Sequence, residues 1–383
     1  MELALYCPNC GYYEREEDII GRRGDYYTSV SVGSLFGELL AFQFAEWLQE
    51  LQESGAGGSG AGPAGEAGEG QAMRIVEAGA HDGVLARDIL RWLRQRRPSR
   101  FERLEYWIVE PSERRRDRQR QHLREFRDQV RWVAELAGLS VGAAYEFRSP
   151  HSAGGRGVLF SNELLDALPV RRLGWDAKAR IWFEWGVTLQ AGRLVWTRMA
   201  DPEGAGGGQP PGAPWAISPF ETPIDSRMLE MLPDGFTIEW SPAAEQWWRA
   251  AAVALGCGKL LTIDYGLTAE EFFVPERKDG TVRGYHRHRL SSDVLACPGE
   301  QDITADVNFT AIRAAGESAG FKTEAFLTQA QFLTAIAARS WADEGSFGKW
   351  TPEHTRRFQT LIHPEHLGRS FRVLVQERTC PGP

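Results

Sequence analysis

Three acid-bearing segments of this chain carry residue types and spacings that could do chemistry. The run Asn162-Glu163-Leu-Leu-Asp166-Ala167-Leu168-Pro169 follows a short apolar stretch, Gly157 to Phe160, of the kind that forms a buried strand. Asn162 and Glu163 then fall at a strand's carboxyl end, where ligands bind in open α/β sheets. Glu163 and Asp166 are three apart and are expected on one face of a helical turn. Paired carboxylates of this kind can hold a planar cation by charge-assisted hydrogen bonds.

A second segment reads Ile75-Val76-Glu77-Ala78-Gly79-Ala80-His81-Asp82-Gly83-Val84-Leu85. Here an acid, Glu77, ends a strand, and a helix starts at once. Gly79 lets the backbone turn tightly and approach a ligand, and Gly83 keeps the helix start close to it. The third segment ends in Glu110, which closes the next strand run, Tyr106 to Val109, and can accept from both hydroxyls of a ribose. Nicotinamide dinucleotides and S-adenosylmethionine both suit this layout. The spacing Gly79-x-x-x-Gly83 lacks the middle glycine of the dinucleotide fingerprint, and Asp82 beside the helix start repels a diphosphate while tolerating a sulfonium and an amino group. The residues favour S-adenosylmethionine as cofactor.

These segments need a scaffold that brings strand ends together. Further strand-like runs lie at Lys259 to Asp264, Lys322 to Leu327 and Phe371 to Gln376, with Arg74 to Ala78 as the first. Helical periodicity marks Leu85 to Arg96, Ser112 to Asp128, Ala243 to Leu255, Val307 to Ala319 and Ala330 to Trp341. The alternation implies βαβ units and a mostly parallel sheet. Upstream, Phe36, Leu39, Leu40, Phe44, Trp47, Leu48 and Leu51 recur at helical spacing. The runs Ile181 to Trp185 and Leu194 to Arg198 alternate like an antiparallel meander. Gly/Ala-rich stretches at 54–72 and 201–214 have no apolar period and read as loops. The domain organisation expected is a cover segment and helix at 1–53, a flexible loop at 54–72, and a core at 73–378 with a β insertion at about 170–240.

Composition narrows the function. The chain has 383 residues and a net charge of −8, which disfavours a general polyanion-binding role, so no nucleic-acid partner is expected. No apolar run approaches the roughly 20 residues of a membrane span, and the start lacks a basic and then apolar leader, so a cytoplasmic location is expected. The five cysteines are odd in number and scattered, which argues against a disulfide framework. Cys7 and Cys10 form C-x-x-C, half of a zinc ribbon with no second pair to complete it, and an incidental turn is preferred. His286 and His288 alternate on a strand face without a completing acid cluster, so no metal is expected. The arginines from Arg114 to Arg131 are interleaved with acids and read as a solvated, salt-bridged helix face.

The ordered motifs Gly24-Asp25-Tyr26-Tyr27-Thr28-Ser29, Phe36-Gly37-Glu38, Glu77-x-Gly79 with Gly83, and Asn162-Glu163 through Pro169 closely resemble the MidA-like methyltransferase family. The resemblance continues in Ile263-Asp264-Tyr265-Gly266, in Pro298 through Phe309, and in Pro364-x-x-Leu367-Gly368-x-x-Phe371-Arg372-Val373-Leu374, so it spans nearly the whole chain. It implies a class I methyltransferase fold, an α/β Rossmann-like sheet of seven mostly parallel strands with helices on both faces. It further implies that the segment from Asp25 through Thr28 and Ser29 covers S-adenosylmethionine, with Gly79, His81 and Gly83 along its amino-acid end and Glu110 on its ribose. Glu77 and Asn162 complete the expected cofactor set. The family has Gly where His81 stands and Pro-Glu where Val30-Ser31 stand.

The implied activity is methyl transfer to an arginine of a protein substrate, as by the family's mitochondrial member. Glu163 is then the main guanidinium orienter and Asp166 the second, with Asp25, Asp302 and Asp306 as further acids. Transfer to a small molecule or another side chain, and a non-catalytic assembly factor that keeps the fold, remain the alternatives. A homodimer is left open.

Overall fold

The computed structural model describes residues 1–15, 28–56, 73–141, 156–199, 226–286, 289–291, 293–365 and 367–379. Their contacts divide them into two compact units. Most of the 54–72 and 201–214 stretches, together with Asp25 and His288, lie outside the described residues.

The larger unit is built on seven strands: β1 (Met73–Ala78), β2 (Leu104–Val109), β3 (Val130–Val133), β4 (Arg156–Asn162), β5 (Cys257–Leu267), β6 (Lys322–Thr328) and β7 (Phe371–Arg378). Their order across the sheet is β6-β7-β5-β4-β1-β2-β3. Only β7 runs against the rest, pairing antiparallel with β5 and β6. β1, β2, β4 and β5 are parallel neighbours, and their nearly continuous buried runs are what a sheet covered on both faces requires. This is the α/β, mostly parallel architecture expected.

Seven helices are labelled here: α1 (Leu35–Ala56), α2 (Val84–Arg96), α3 (Glu113–His122), α4 (Pro242–Leu255), α5 (Phe309–Ser318), α6 (Gln329–Ala342) and α7 (Pro352–Ile362). Local chemistry fixes several of their starts. Thr328 and Gln331 form a reciprocal capping box at α6, and Thr351 with Pro352 begins α7 in the same way. The apolar residues of α1 enter the main core with α2, α6, α7 and the sheet rather than lying over it as a separate cover.

Two expectations need correction. The helix read from Ser112 to Asp128 ends at His122, and after a short 3-10 turn the chain enters β3, so Arg131 lies on a strand and not on a helix face. The cause is packing: Val130 is buried and β3 pairs with β2, which overrides the helical spacing of the arginines. Second, Cys257 is disulfide-bonded, whereas scattered spacing gave no reason to expect a bond; Cys7, Cys10 and Cys297 are free.

The smaller unit gathers the described residues of 1–15, 166–246 and 266–312. Strands at Arg193–Arg198, Ile181–Gln190, Arg171–Asp176 and Thr237–Trp240 pair antiparallel in that order. They enclose a core of Leu173, Trp175, Trp182, Leu232, Phe236 and Ile238. A three-stranded sheet, Arg289–Ser291, Arg283–His286 and Asp302–Thr304, belongs to the same unit, as do the last residues of β5, Gly266 and Leu267, which pair with Val307 and Asn308. This grouping differs from the linear division read from the sequence, because residues 1–15 and 266–312 join the 170–240 segment through space. Among the described residues, no helix is long and apolar enough to cross a membrane.

Candidate functional site

Sheet register gathers the candidate residues of the larger unit. Ala78 is the partner of both Val109 and Ser161, and Asn162 is the partner of Ile263. Gly79, Glu110, Asn162 and Asp264 therefore sit side by side at the carboxyl edge of β1, β2, β4 and β5, the edge at which such sheets bind ligands.

The turn after β1 is shaped by missing side chains. Gly79 has φ +77° and Gly83 φ +85°, both in the left-handed region. A Cβ on Gly79 would lie 3.2 Å from Leu164, and one on Gly83 would lie 3.2 Å from Leu123. His81 occupies the same region, with φ +48°, which explains why glycine suits this position. The His81 carbonyl accepts from Gln119 Nε2 at 2.8 Å. Asp82 Oδ1 accepts from the Val84 N–H at 3.1 Å and fixes the start of α2. Burial would raise the Asp82 carboxyl, but His81, the Val84 N–H and His122 together hold it below its ordinary value.

Glu77 and Glu110 are buried acids with different surroundings. Glu77 accepts from Tyr106 Oη at 2.6 Å. Loss of hydration pushes it up to about 8, against the Tyr106 bond and with help from Asp82. Glu110 Oε1 accepts from the Ser112 N–H at 2.9 Å and from Arg115 Nε at 3.0 Å, and Oε2 from Gln119 Nε2 at 3.3 Å. Its burial raises it despite these partners, Arg115 foremost. Arg116 Nη1 also reaches the Glu110 carbonyl, at 2.8 Å. Part of the arginine-rich helix thus turns inward to this acid instead of facing water.

Sequence reasoning missed Gln119. It is fully buried, ties His81 to Glu110, and accepts from Trp132 Nε1 at 2.9 Å. Its one visible signal was an uncharged amide on the face of α3 that leads to Leu123.

The turn after β4 is held by a carboxylate. Asp264 Oδ2 accepts from the Leu164 N–H at 3.1 Å and the Leu165 N–H at 2.8 Å, and Oδ1 from the Tyr265 N–H at 2.9 Å. The Glu163 N–H bonds to the Ile263 carbonyl at 2.9 Å. These bonds set Glu163 at φ +53°, and no helical turn forms. The expected common helical face of Glu163 and Asp166 is therefore corrected: Asp264 captures the N–H groups that a helix would have used. Asp166 is buried in the smaller unit, where its carbonyl accepts from the Ala305 N–H at 3.0 Å. In the sequence Asp264 shows only as part of the motif Ile263-Asp264-Tyr265-Gly266, with nothing nearby to give it a role.

Asn162 Nδ2 donates to Glu163 Oε1 at 3.0 Å, while its Oδ1 is buried with no partner among the described residues. A buried acceptor beside a glycine turn fits an ammonium group. On Glu110, Oε2 has one long bond and retains a lone pair for a hydroxyl. These donors and acceptors fit S-adenosylmethionine.

The other predicted residues are engaged elsewhere. Thr28 Oγ1 accepts from the Ser31 N–H at 3.1 Å, and Ser29 Oγ donates to Gln329 Oε1 at 3.0 Å. Asp302 accepts from Tyr13 Oη at 2.6 Å, and Asp306 pairs with Arg283. His286 Nδ1 lies 2.7 Å from the Glu300 carbonyl. Among the described residues, no group of three or more His, Cys, Asp or Glu could hold a metal.

Comparison with known proteins agrees with this geometry. Residues 39–327 match a family model described as S-adenosyl-L-methionine-dependent methyltransferase. A Drosophila melanogaster relative named protein arginine methyltransferase NDUFAF7 homolog, mitochondrial, is 27% identical over 84% of this chain and 66% of its own length. The Rattus norvegicus protein arginine methyltransferase NDUFAF7, mitochondrial, is 25% identical over 98% of this chain and 79% of its own. A Burkholderia thailandensis crystal structure bound to S-adenosyl-homocysteine superposes with TM-score 0.73 at 29% identity, covering 100% of this chain and 87% of the other.

Proposed function

Since the chain belongs to the S-adenosyl-L-methionine-dependent methyltransferase family, we propose that its methyl acceptor is an arginine guanidinium on a protein substrate. The observation that carries the proposal is the position of Glu163. Glu163 stands one residue past β4, on a turn whose Leu164 packs against Gly79. The names of the curated relatives support the same acceptor.

S-adenosylmethionine, when bound, supplies an electrophilic methyl group on a sulfonium. The left-handed turn at Gly79 and Gly83 would run along its amino-acid end, Asn162 Oδ1 would take its ammonium, Glu110 would take its ribose, and Glu77 and His81 would shape the turn. Thr28 and Ser29, whose hydroxyls bond within the protein, contribute as cover. An arginine guanidinium stays protonated at neutral pH, its pKa being above about 12, so its nitrogen is a poor nucleophile. A carboxylate can turn one nitrogen toward the donor and draw the positive charge onto the others. Glu163 does this, with its backbone fixed by Ile263 and Asp264 and its Oε1 steadied by Asn162. Asp166 is kept as the second acid on its chemistry and sequence proximity, and Asp25 as a further one. The cytoplasmic location stands as part of this proposal, and so does the open homodimer.

Incubating the protein with labelled S-adenosylmethionine and a cell extract, then identifying labelled species by mass spectrometry, tests the reading. Methylarginine in a protein is the expected product. A labelled small molecule without labelled arginine overturns it.

A further inference from the structure

The sequence segment Cys7-Pro8-Asn9-Cys10-Gly11 takes no part in the site just described. It forms a tight turn in which the Cys10 N–H bonds to the Cys7 carbonyl at 3.2 Å and the Gly11 N–H to the same oxygen at 2.7 Å. Pro8 presets the backbone for the second position of such a turn. A turn closed between its first and fourth residues holds their Cα atoms within about 7 Å, and disulfides span Cα separations of about 4.4–6.8 Å. Both cysteines are free, Cys10 is exposed and Cys7 half-buried, so a reagent can reach them.

We propose that Cys7 and Cys10 form a redox-active dithiol that a small-molecule disulfide of the glutathione class converts to an intramolecular disulfide. The Cys7 thiolate attacks one sulfur of the external disulfide, forms a mixed disulfide, and releases the other half as a thiol carrying the proton Cys7 gave up. The Cys10 sulfur then attacks Cys7, its proton passes to the second leaving thiolate, and a second small thiol departs. Two protein thiols are oxidised and one external disulfide is reduced to two thiols.

Local charge favours Cys7 as the attacking group. The Asn9 N–H, the Cys10 thiol and the Cys10 N–H all stabilise its thiolate and lower it from the ordinary thiol value, while Cys10 is raised by its neighbour. The position has consequences within the same unit. Tyr6 Oη, one residue before, donates to the Ala167 carbonyl at 2.9 Å, and Tyr13 Oη donates to Asp302 at 2.6 Å. A Cβ on Gly299 would lie 2.3 Å from the Cys10 carbonyl, so the turn abuts that loop as well. A disulfide would stiffen a turn already bound to the segments that carry Asp166 and Asp302.

The test equilibrates the full chain in glutathione buffers of graded ratio, quenches with acid, alkylates, and maps each cysteine by mass spectrometry. Cys7 and Cys10 are expected to lose alkylation together, giving a peptide two hydrogens lighter, while exposed Cys297 serves as the internal reference. Under reducing conditions near pH 7, Cys7 should alkylate faster than Cys10, since its thiolate is the one its neighbours stabilise. Cys10→Ser should arrest the reaction at a mixed disulfide on Cys7. Independent modification of the two thiols without the lighter peptide overturns the proposal, and so does tightly retained zinc that shields both from alkylation.

Discussion

The turns after β1 and β4 leave the same edge of one sheet and meet where Leu164 faces Gly79, yet they are shaped by opposite means. The β1 turn is defined by what is absent, with two left-handed glycines whose missing side chains give its neighbours room. The β4 turn is defined by an added group, the buried Asp264 carboxylate that takes two successive N–H groups and its neighbour's own. A turn made by absence lets its neighbours pack close to the backbone, whereas one made by a clamp can hold a charged side chain still. Under the proposed function, the β1 turn would lie along the donor and the β4 turn would orient the acceptor.

Loss of the oriented charge should have the largest effect. Glu163→Gln keeps shape and removes charge, and turnover on a proven arginine substrate should fall by about 10²–10³, the range for deleting one preorganised electrostatic contact, with donor affinity unchanged. Normal turnover would end the assignment of Glu163. Asp264→Ala comes next. It strands the Leu164, Leu165 and Tyr265 N–H groups, of which the Leu165 bond is buried and the other two are part-buried, so at about 1–3 kcal/mol for a buried donor left unmet, stability measured by denaturant should drop by at least about 1 kcal/mol. Asp264→Asn keeps an accepting oxygen and should recover much of this. An alanine variant within about 0.5 kcal/mol of the parent would show that the clamp is ornamental. Both variants should be compared for kcat at saturating donor, since a clamp that orients Glu163 lowers kcat more than it raises KM.

The β1 turn should respond differently. Gly79→Ala forces a side chain into the left-handed region, at about 1–2 kcal/mol, and against Leu164. That strain is carried with or without donor, so it lowers stability measured by denaturant by about 1–2 kcal/mol, while any loss of donor affinity by calorimetry reports the displacement of Leu164. Equal donor affinity would mean that this face of the turn is not where the donor lies.

How much of this was legible depends on where each partner lies in the chain. The strand-ending acids and the glycine spacing are local, so β1, β2 and β4 and their edge residues could be read directly. Asp264 lies 99 residues from Leu165, and its bond to that N–H exists only after β5 pairs with β4. The same holds for Gln119, which meets His81 across 38 residues. β3 was hidden by the arginines around it, whose helical spacing outweighed one buried valine. The expected helical turn at Glu163 failed because propensity and spacing cannot register a carboxylate arriving from another strand.

Glu77 belongs to the β1 side and allows a finer test by pH. Its carboxyl group is raised from 4.5 to about 8 by burial. Between those values the folded chain holds a proton that the unfolded chain has released, so this stabilisation is complete below about 4.5 and disappears as pH rises through about 8. The slope approaches about 1.4 kcal/mol per pH unit. Glu77→Gln imitates the neutral acid, keeps an acceptor for Tyr106 Oη, and should flatten the dependence measured by denaturation from pH 5 to 8. Equal slopes in the two proteins would place Glu77 among the ionised acids.

The smallest effect is expected where the β1 turn breaks its own rule. His81 is the one side chain at a left-handed position of that turn, with φ +48°. His81→Gly relieves strain of about 1 kcal/mol but frees the unfolded backbone by a similar amount, so stability should stay within about 0.5 kcal/mol. The turn itself should persist, because Gln119 binds the His81 carbonyl and the Val84 N–H still binds Asp82. Donor affinity then reads the imidazole alone. A change below about threefold, under about 0.7 kcal/mol, assigns the turn's function to its backbone. A tenfold loss would make the imidazole itself a donor ligand, and the contrast between a turn built by absence and a turn built by a clamp would hold for its glycines only.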